Sequence, residues 1–325
     1  MMRQLQFEEA HAKEWQEFEQ YLDDPRNAKK GPPPFDPAEM PQRYRRICQH
    51  LALAADRQYS PALVDRLNRV ALRGHHLLYQ NRRRQSQRLI EFALAGFPRL
   101  VRAEWRLVTA AALLFFGPLL ALIAVLQAFP EFVHYLLAPE QIASFHRMYD
   151  PANPRLGTRE ADSNLLMFGF YIWNNVRIGF QTFAGGLLAG VGSIWFLGAN
   201  GVIIGAVAGY LTQIGFSQTF WSFVAGHSPL ELTAIVFSGA AGLKLGMAVI
   251  SPGNLSRRAA LVEAARPAVR IMYGAALMFV AAAFVEAFWS PLTLFPFAVK
   301  IGAGLAGWAI LLVYLVLGGR ARAAR

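Results

Sequence analysis

The stretch from Leu165 to Asn254 is long, apolar and rich in glycine, yet it carries a few polar side chains that lipid tolerates poorly. Hydrophobic residues make up 54% of the chain, and nearly all of the strongly apolar sequence lies after Trp105. A run of about 20 apolar residues is long enough to cross the hydrocarbon core of a bilayer as a helix. The sequence therefore predicts an all-α, polytopic membrane protein with a soluble portion before its spans.

Charge around the apolar runs predicts their topology. Arginines follow Asn254 and lie at the C-terminus, whereas the region near 130–163 contains more acidic than basic side chains. Basic residues that flank spans are expected on the cytoplasmic side. We therefore predict a six-span domain over 105–325 with both termini cytosolic and an extracytoplasmic loop near 130–163. The predicted spans are 107–128, 164–197, 200–216, 229–250, 267–288 and 297–317.

Before these spans, residues 1–104 are predicted to form a cytosolic, basic, helical domain. Apolar residues recur at helical spacing in 7–21, 38–58 and 61–79, and the proline-rich segment after the first of these indicates a loop. Amphipathic helices of this length are marginal alone in water, so they are expected to pack together. Residues 89–105 alternate apolar and arginine side chains, which favours an amphipathic helix in the headgroup layer.

The net charge of +11 does not indicate a nucleic-acid-binding protein. The arginines at 82–84 and Arg88 lack the aromatic or glycine pattern of a nucleic-acid-binding module, so we interpret them as facing the membrane surface or solvent. Membrane lipids are the expected partner of the basic residues. The single cysteine, Cys48, excludes an intrachain disulfide. No apolar run follows the basic residues at the start, so no signal peptide is predicted.

Several ionisable and amide side chains fall within the predicted spans, where each costs a few kcal/mol unless it finds a partner. We predict that the long second span is broken or bent near Gly185-Gly186. Arg177 is expected to pair with Glu231 or Glu286, and Asn174 and Asn175 are expected to bond backbone groups near the bend. Lys244 is close enough to a span end to snorkel to the cytosolic surface, or else it faces a cavity open to the cytosol.

His227 and Glu231 are spaced i and i+4, which can place two metal ligands on one helix face. The pattern lacks the second histidine and the catalytic glutamate of an HExxH zinc protease. We interpret His227 instead as starting a helix at the outer surface, with Glu231 stabilised by the positive end of the helix dipole. The sequence accordingly predicts no metal and no cofactor.

Glycines four residues apart indicate close helix packing. This spacing aligns small residues on one helix face, where another backbone can approach closely. The same faces predict a homodimer. The glycines are Gly201, Gly205 and Gly209 in the first set and Gly242 and Gly246 in the second.

Segments along the whole chain resemble the stage II sporulation protein M family of bacterial inner-membrane proteins. Those before the spans are FEEAHAKEWQEFE, YRRICQHLALAADRQ and LNRVALRGHHLLY; those within them are YIWNNVRIGF, NGVIIGAVAG, GHSPLELTAI, GLKLGMAVISPG and FVEAFWSP. In endospore formers the family anchors hydrolases that remodel peptidoglycan. The arginine-rich cytosolic domain resembles the branch from bacteria that make no spores, in which MoxR-type ATPases and RDD membrane proteins are common companions.

Three functions remain open at this stage. The first is a non-catalytic membrane scaffold or assembly factor that recruits cytosolic and membrane proteins and is linked to cell-envelope remodelling, as the resemblance implies. The second is a permease or lipid-handling channel, suggested by the polar intramembrane side chains. The third is an intramembrane enzyme. The sequence contains no nucleophile elbow, catalytic carboxylate pair or cofactor fingerprint, so we expect that the protein is not an enzyme.

Overall fold

The structure of the protein is a computed structural model that describes residues 2–23, 33–153 and 161–320. These residues are mostly helical and contain no strand, which confirms the predicted all-α class. The α-helices are α1 (Met2–Asp23), α2 (Met40–Asp56), α3 (Pro61–Glu91), α4 (Phe97–Ala103), α5 (Trp105–Ala128), α6 (Val133–Leu136), α7 (Pro139–Tyr149), α8 (Ala161–Ala184), α9 (Val191–Gln213), α10 (Ser217–Val224), α11 (Ser228–Ile250), α12 (Arg257–Phe284) and α13 (Phe297–Leu317). Parts of the predicted loops at 24–32 and 154–160, and the side chains at 82–84, lie outside the described residues.

The chain divides into two compact units, Met1–Glu91 and Phe92–Arg325. The first unit contains the three amphipathic helices expected from the periodicity, α1 to α3. Trp15, Phe18, Ile47 and Leu67 have at most 1% of their surface exposed, so each helix contributes to one apolar core. Ion pairs between the helices surround this core, but pairs near the surface add little stability. Burial of the apolar stripes therefore holds the unit together.

His50 is a half-buried titratable group of the first unit. Its Nδ1 accepts a hydrogen bond from the indole N–H of Trp15 at 3.0 Å. The ring also lies against that of His11, with 4.0 Å between centroids. Burial lowers the pKa of His50 below its usual 6.5, and the nearby positive charges of His11 and Arg46 lower it further. The neutral imidazole is therefore the form that the folded unit favours.

This lowered pKa predicts acid sensitivity of the first unit. The unfolded chain binds a proton at His50 more readily than the folded chain does. The contribution of His50 to the free energy of unfolding is therefore fully present above the ordinary pKa near 6.5 and is lost as the pH falls below it. We expect the melting temperature of the full chain to fall between about pH 7 and about pH 5. His50→Gln, which keeps an acceptor for Trp15, should flatten this dependence, whereas His76→Gln on the surface should not. Equal pH profiles for the two variants would refute the assignment.

The second unit holds the membrane-spanning helices. Among the described residues, five helices are long and apolar enough to cross a membrane: α5, α9, α11, α12 extended to Phe288, and α13. The 24-residue α8 is long enough to be the sixth, although it carries Asn174, Asn175 and Arg177. This agrees with the prediction of about six transmembrane helices.

Helix α11 lies at the centre of this unit. Two thirds of its most apolar 18-residue segment is buried inside the protein, whereas only 17% of the corresponding segments of α5 and α13 is buried. A helix that is apolar on all sides is expected to be surrounded by other helices, and α11 packs against α5, α8, α9, α12 and α13. Helices α5 and α13 instead leave most of their apolar surface for lipid.

Glycine faces bring the helix backbones together. A Cβ on Gly205 would lie 2.6 Å from the carbonyl oxygen of Leu119 on α5, and one on Gly209 would lie 3.1 Å from the Cα of Ile123. Gly201 packs as closely, because its Cβ would overlap the carbonyl oxygen of Phe115. Backbones can approach this closely only where side chains are absent.

Residues 185–190 reverse the chain between α8 and α9. Ala189 and Gly190 have φ angles of 51° and 82°, in the left-handed region that most side chains avoid. The hydroxyl of Ser193 donates to the carbonyl of Thr182 at 2.6 Å, which joins the two helices across the turn. The break or bend predicted near Gly185 and Gly186 lies at this turn, but the predicted spans 164–197 and 200–216 were wrong in their bounds, because the chain turns back here and α9 begins at Val191.

Helix α4 packs within the second unit, although we assigned it to the end of the cytosolic domain. Phe97 and Val101 are buried in the core that α11 and α12 build. Arg99 donates to the carbonyl of Gly319, and Arg102 donates to those of Leu315 and Gly318, at 2.5–2.8 Å. These arginines satisfy the free carbonyls at the end of α13 and oppose its negative dipole end. The compact units thus divide at Glu91, and the membrane boundary at 104/105 stays a prediction.

Candidate functional site

The candidate site lies where α11 begins, at the end of the bundle that also holds α10 and the connection from α12 to α13. A short turn after α10 leads into α11 at Ser228, with Pro229 in the first turn, where its missing N–H costs no helical hydrogen bond. Gly226 fits this turn against the Trp289 ring, since a Cβ there would overlap the ring. His227 is thereby fixed immediately before the helix.

His227 connects the first turn of α11 to the end of α12. Only 4% of its surface is exposed. Its Nδ1 lies 3.1 Å from the hydroxyl oxygen of Ser290, and its Nε2 lies 3.6 Å from Oε2 of Glu231. The ring also packs edge-on against Phe223. The two nitrogens of the imidazole therefore face different partners, a hydroxyl on one side and a carboxylate on the other.

Glu286 completes this group from another helix. It lies in a π-helical segment, Val285–Trp289, that follows α12. Such single π-turns are rare and often occur at functional sites. One ligand atom each from His227, Glu231 and Glu286 lies within 4.8 Å of the others. We call these three residues the His227 cluster.

Lys300 is a buried cation beside this cluster that the sequence reasoning missed. It lies in the first turn of α13 with 4% of its surface exposed. Its Nζ donates to the carbonyl oxygen of Ser290 at 2.7 Å and lies 5.7 Å from the centre of the Trp289 ring. A single lysine within the otherwise apolar FAVKIGAG was the available signal. Ser290 thus contacts His227 through its side chain and Lys300 through its backbone.

The polar residues of α8 are arranged differently from the prediction. Asn174 donates to the Asn175 side chain at 3.1 Å, and Asn175 is 2% exposed. Arg177 is exposed and its guanidinium lies 4.6 Å from the centre of the Trp173 ring. Neither Glu231 nor Glu286 forms an ion pair with Arg177, so the predicted pairing was wrong. Two residues correspond to about 200° around a helix, so Arg177 and Asn175 occupy opposite faces of α8.

Lys244 lies towards the opposite end of the bundle and has a definite partner. Its Nζ is 2.6 Å from Oε1 of Glu104, which immediately precedes α5. Both side chains are mostly buried, with 23% and 17% of their surfaces exposed. The sequence suggested snorkelling or a cavity for Lys244 and did not single out Glu104. The pair fixes the start of α5 to the central helix.

A second histidine group occurs in the first unit but has poor geometry for a metal. Ligand atoms of His11, Glu14 and His50 lie within 4.8 Å of one another. Metal-bound histidines usually donate their other ring N–H to an acceptor, whereas Nδ1 of His50 accepts from Trp15. Arg46 also lies 2.7 Å from Glu14 and occupies its carboxylate. These contacts explain the group without a metal.

A surface depression of about 500 Å³ lies at the start of α12, away from the His227 cluster. Its lining is Ser256, Arg258, Ala259, Val262, Glu263 and Arg266. None of Asn174, Arg177, Glu231 and Glu286 lines it. The depression therefore does not lead to the polar side chains of the bundle.

The fold and these sites define a polytopic, α-helical membrane protein with a separate helical unit before its spans. The chain belongs to the Stage II sporulation protein M family, whose model matches residues 110–291. This confirms the resemblance found in the sequence. A second family model, a domain of unknown function (DUF8413), matches residues 5–80. No curated protein and no solved structure matches the chain. The family match contains the whole His227 cluster and Ser290 but ends before Lys300.

Proposed function

We propose that the protein is a non-catalytic scaffold or assembly factor of the bacterial inner membrane, with both termini cytosolic. The observation that carries this proposal is that the charged side chains inside the bundle hold helices together. Lys244 joins α11 to the start of α5, and Lys300 joins α13 to the end of α12. A bundle fastened at both ends suits a protein that presents fixed surfaces to partners, whereas a transporter alternates between conformations.

Charge distribution supports the proposed orientation. The bundle end where α4 begins and α13 finishes carries most of the flanking arginines, and basic residues favour the cytosol. The connections at the other end include Glu131, Glu140 and Asp150. The basic residues at the proposed cytosolic end are Arg99, Arg102, Arg106, Arg257, Arg258, Arg266, Arg270 and Arg320.

The first unit would supply the recruiting surface in this proposal. It has its own apolar core, and its exterior still exposes large apolar side chains such as Leu5 and Leu72. Cytosolic proteins such as a MoxR-type ATPase, and membrane proteins such as an RDD-type protein, are the partners that the family resemblance suggests. A link to cell-envelope remodelling belongs to the same proposal. A homodimer does too, but its surface must be another one, because the glycine faces of α9 and α11 pack within a single chain.

A permease is the second candidate because of one observation. The side-chain nitrogen Nδ2 of Asn175 is buried and has no hydrogen-bond partner among the described residues. A buried amide without a partner costs free energy, so it can mark a position that a solute or water satisfies. This single amide is weaker evidence than the ion pair between Lys244 and Glu104 and the hydrogen bond from Lys300, which support the scaffold.

Site-specific photo-cross-linking of the full chain in living cells tests the scaffold. A photoreactive amino acid at Leu72, which is 57% exposed, is expected to give discrete adducts with other proteins. The same probe at Phe18, which is 0% exposed, is the matched control and should give none. If both positions remain without adducts while Asn175→Leu abolishes a solute flux into vesicles containing the protein, the permease replaces the scaffold.

A further inference from the structure

The His227 cluster brings three metal-ligating groups together within the membrane unit. Spacing on α11 explains only the first two, because Glu286 arrives from a π-turn more than 50 positions later in the chain. The cluster therefore exists only in the folded bundle. It is mostly enclosed: His227 is 4% exposed and the side chain of Glu231 is 18% exposed.

The distance between His227 and Glu231 is informative. Nε2 and Oε2 are 3.6 Å apart, which is longer than a hydrogen bond. Two ligands of one tetrahedral zinc ion, each bound at about 2.1 Å, lie about 3.4 Å apart. The observed separation thus matches two ligands of a common cation. One carboxylate oxygen of Glu286 lies within 4.8 Å of a ligand atom of each of these two residues, so the third group is close enough to share their cation.

Ser290 supplies the supporting contact that a histidine ligand requires. Metal-bound histidines usually donate the proton of their second nitrogen to an acceptor, which fixes the tautomer and the ring orientation. The Ser290 hydroxyl lies 3.1 Å from Nδ1, so with the proton on Nδ1 the lone pair remains on Nε2, the nitrogen that faces Glu231. Three lone-pair-bearing groups that converge in an enclosed place can share one cation.

The neighbouring cations do not take this position. Lys300 donates to the backbone carbonyl of Ser290, and Arg177 lies over Trp173 on the exposed face of α8. Imidazole and carboxylate together suit a divalent transition metal more than magnesium or calcium, which prefer oxygen ligands alone. We propose that His227, Glu231 and Glu286 bind one divalent transition-metal ion such as Zn²⁺, with Ser290 orienting the histidine.

Zinc binding to the full chain tests this proposal. The protein is purified in detergent with a tag that contains no histidine, treated with a chelator and titrated with zinc. We expect about one zinc per chain, and a loss of at least about tenfold in affinity for each of His227→Gln, Glu231→Gln and Glu286→Gln. Ser290→Ala should weaken binding by about 10- to 100-fold. Controls are His134→Gln and Glu263→Gln in the same unit and His50→Gln in the first unit, and all three should bind as the unchanged protein does.

A second measurement covers variants that fail to fold. Cobalt bound to the unchanged protein should show the intense visible bands of a four-coordinate site, and X-ray absorption of the zinc form should show one imidazole nitrogen with oxygen ligands. Absence of zinc binding, zinc binding lost with His50→Gln instead of Glu286→Gln, or an all-oxygen coordination sphere would each overturn the proposal. If zinc does not bind at all, the cluster holds a proton in place of a metal ion.

Discussion

Gly186→Ala is expected to reduce the yield of folded, monodisperse protein at least about tenfold, because there is no room for one methyl group at this position. A Cβ on Gly186 would overlap the carbonyl oxygen of Gly242 and lie 2.6 Å from its Cα. These atoms belong to the backbone of the central helix α11 and cannot rotate away. Overpacking of a core usually costs about 1–3 kcal/mol and more where backbone must move, and each 1.4 kcal/mol lowers the ratio of folded to unfolded protein about tenfold.

Gly198→Ala is the matched control for this substitution. Gly198 lies in the interior of α9, and a Cβ there meets no atom within 4 Å. Alanine is the better helix former by about 1 kcal/mol, so this variant should be at least as stable as the unchanged protein. Size-exclusion chromatography in detergent and thermal melting give the comparison. If Gly186→Ala and Gly198→Ala behave alike, the close contact between the turn and α11 is not a feature of the folded protein.

This contact shows why the sequence predicted the helices and a break near Gly185 and Gly186, but not that the chain reverses there. Apolar runs between charged loops are a strong signal, so the all-α class and about six spans were predictable. The helices of the first unit were equally predictable, because their buried apolar residues follow helical periodicity: Trp15, Phe18, Ile47 and Leu67. The paired glycines at 185 and 186 predicted a break or bend in the long apolar run, but the turn contains no proline and no charge that would indicate a reversal of the chain. Only its positive φ angles reveal the reversal.

The candidate site was less predictable for a different reason. The i, i+4 spacing of His227 and Glu231 is visible in the sequence, whereas the approach of Glu286 depends on how α11 and α12 pack. The outcome for Arg177 depended on the rotation of α8 about its axis, which places Arg177 on the exposed face of the helix and Asn175 on the buried face. Lys300 was overlooked because one lysine does not alter the apolar character of α13. The local sequence pattern predicts where helices form. Contacts between helices also depend on the rotation of each helix about its axis and on its register against its neighbours, which the local pattern does not determine.

Breaking the pair between Lys244 and Glu104 is expected to cost about 3 kcal/mol, at the lower end of the range for buried pairs. The two side chains are 2.6 Å apart, and 23% and 17% of their surfaces are exposed. Removing one member leaves the other charge in the bundle without its partner. The free-energy cost of that uncompensated charge is larger than the net stabilisation that the intact pair provides. Glu104→Gln and Lys244→Met should therefore each lower the melting temperature in detergent markedly and reduce the folded yield.

The reciprocal exchange separates pairing from snorkelling. Glu104→Lys and Lys244→Glu should each be strongly destabilising, because each places two like charges together. The double variant, with the charges exchanged, should recover most of the lost melting temperature. A lysine that merely reaches the surface would leave Glu104→Gln harmless and the double variant no better than the single ones. Asp23→Asn in the first unit is the control, since its pair with Arg73 is exposed on both sides and should contribute no more than about 1 kcal/mol.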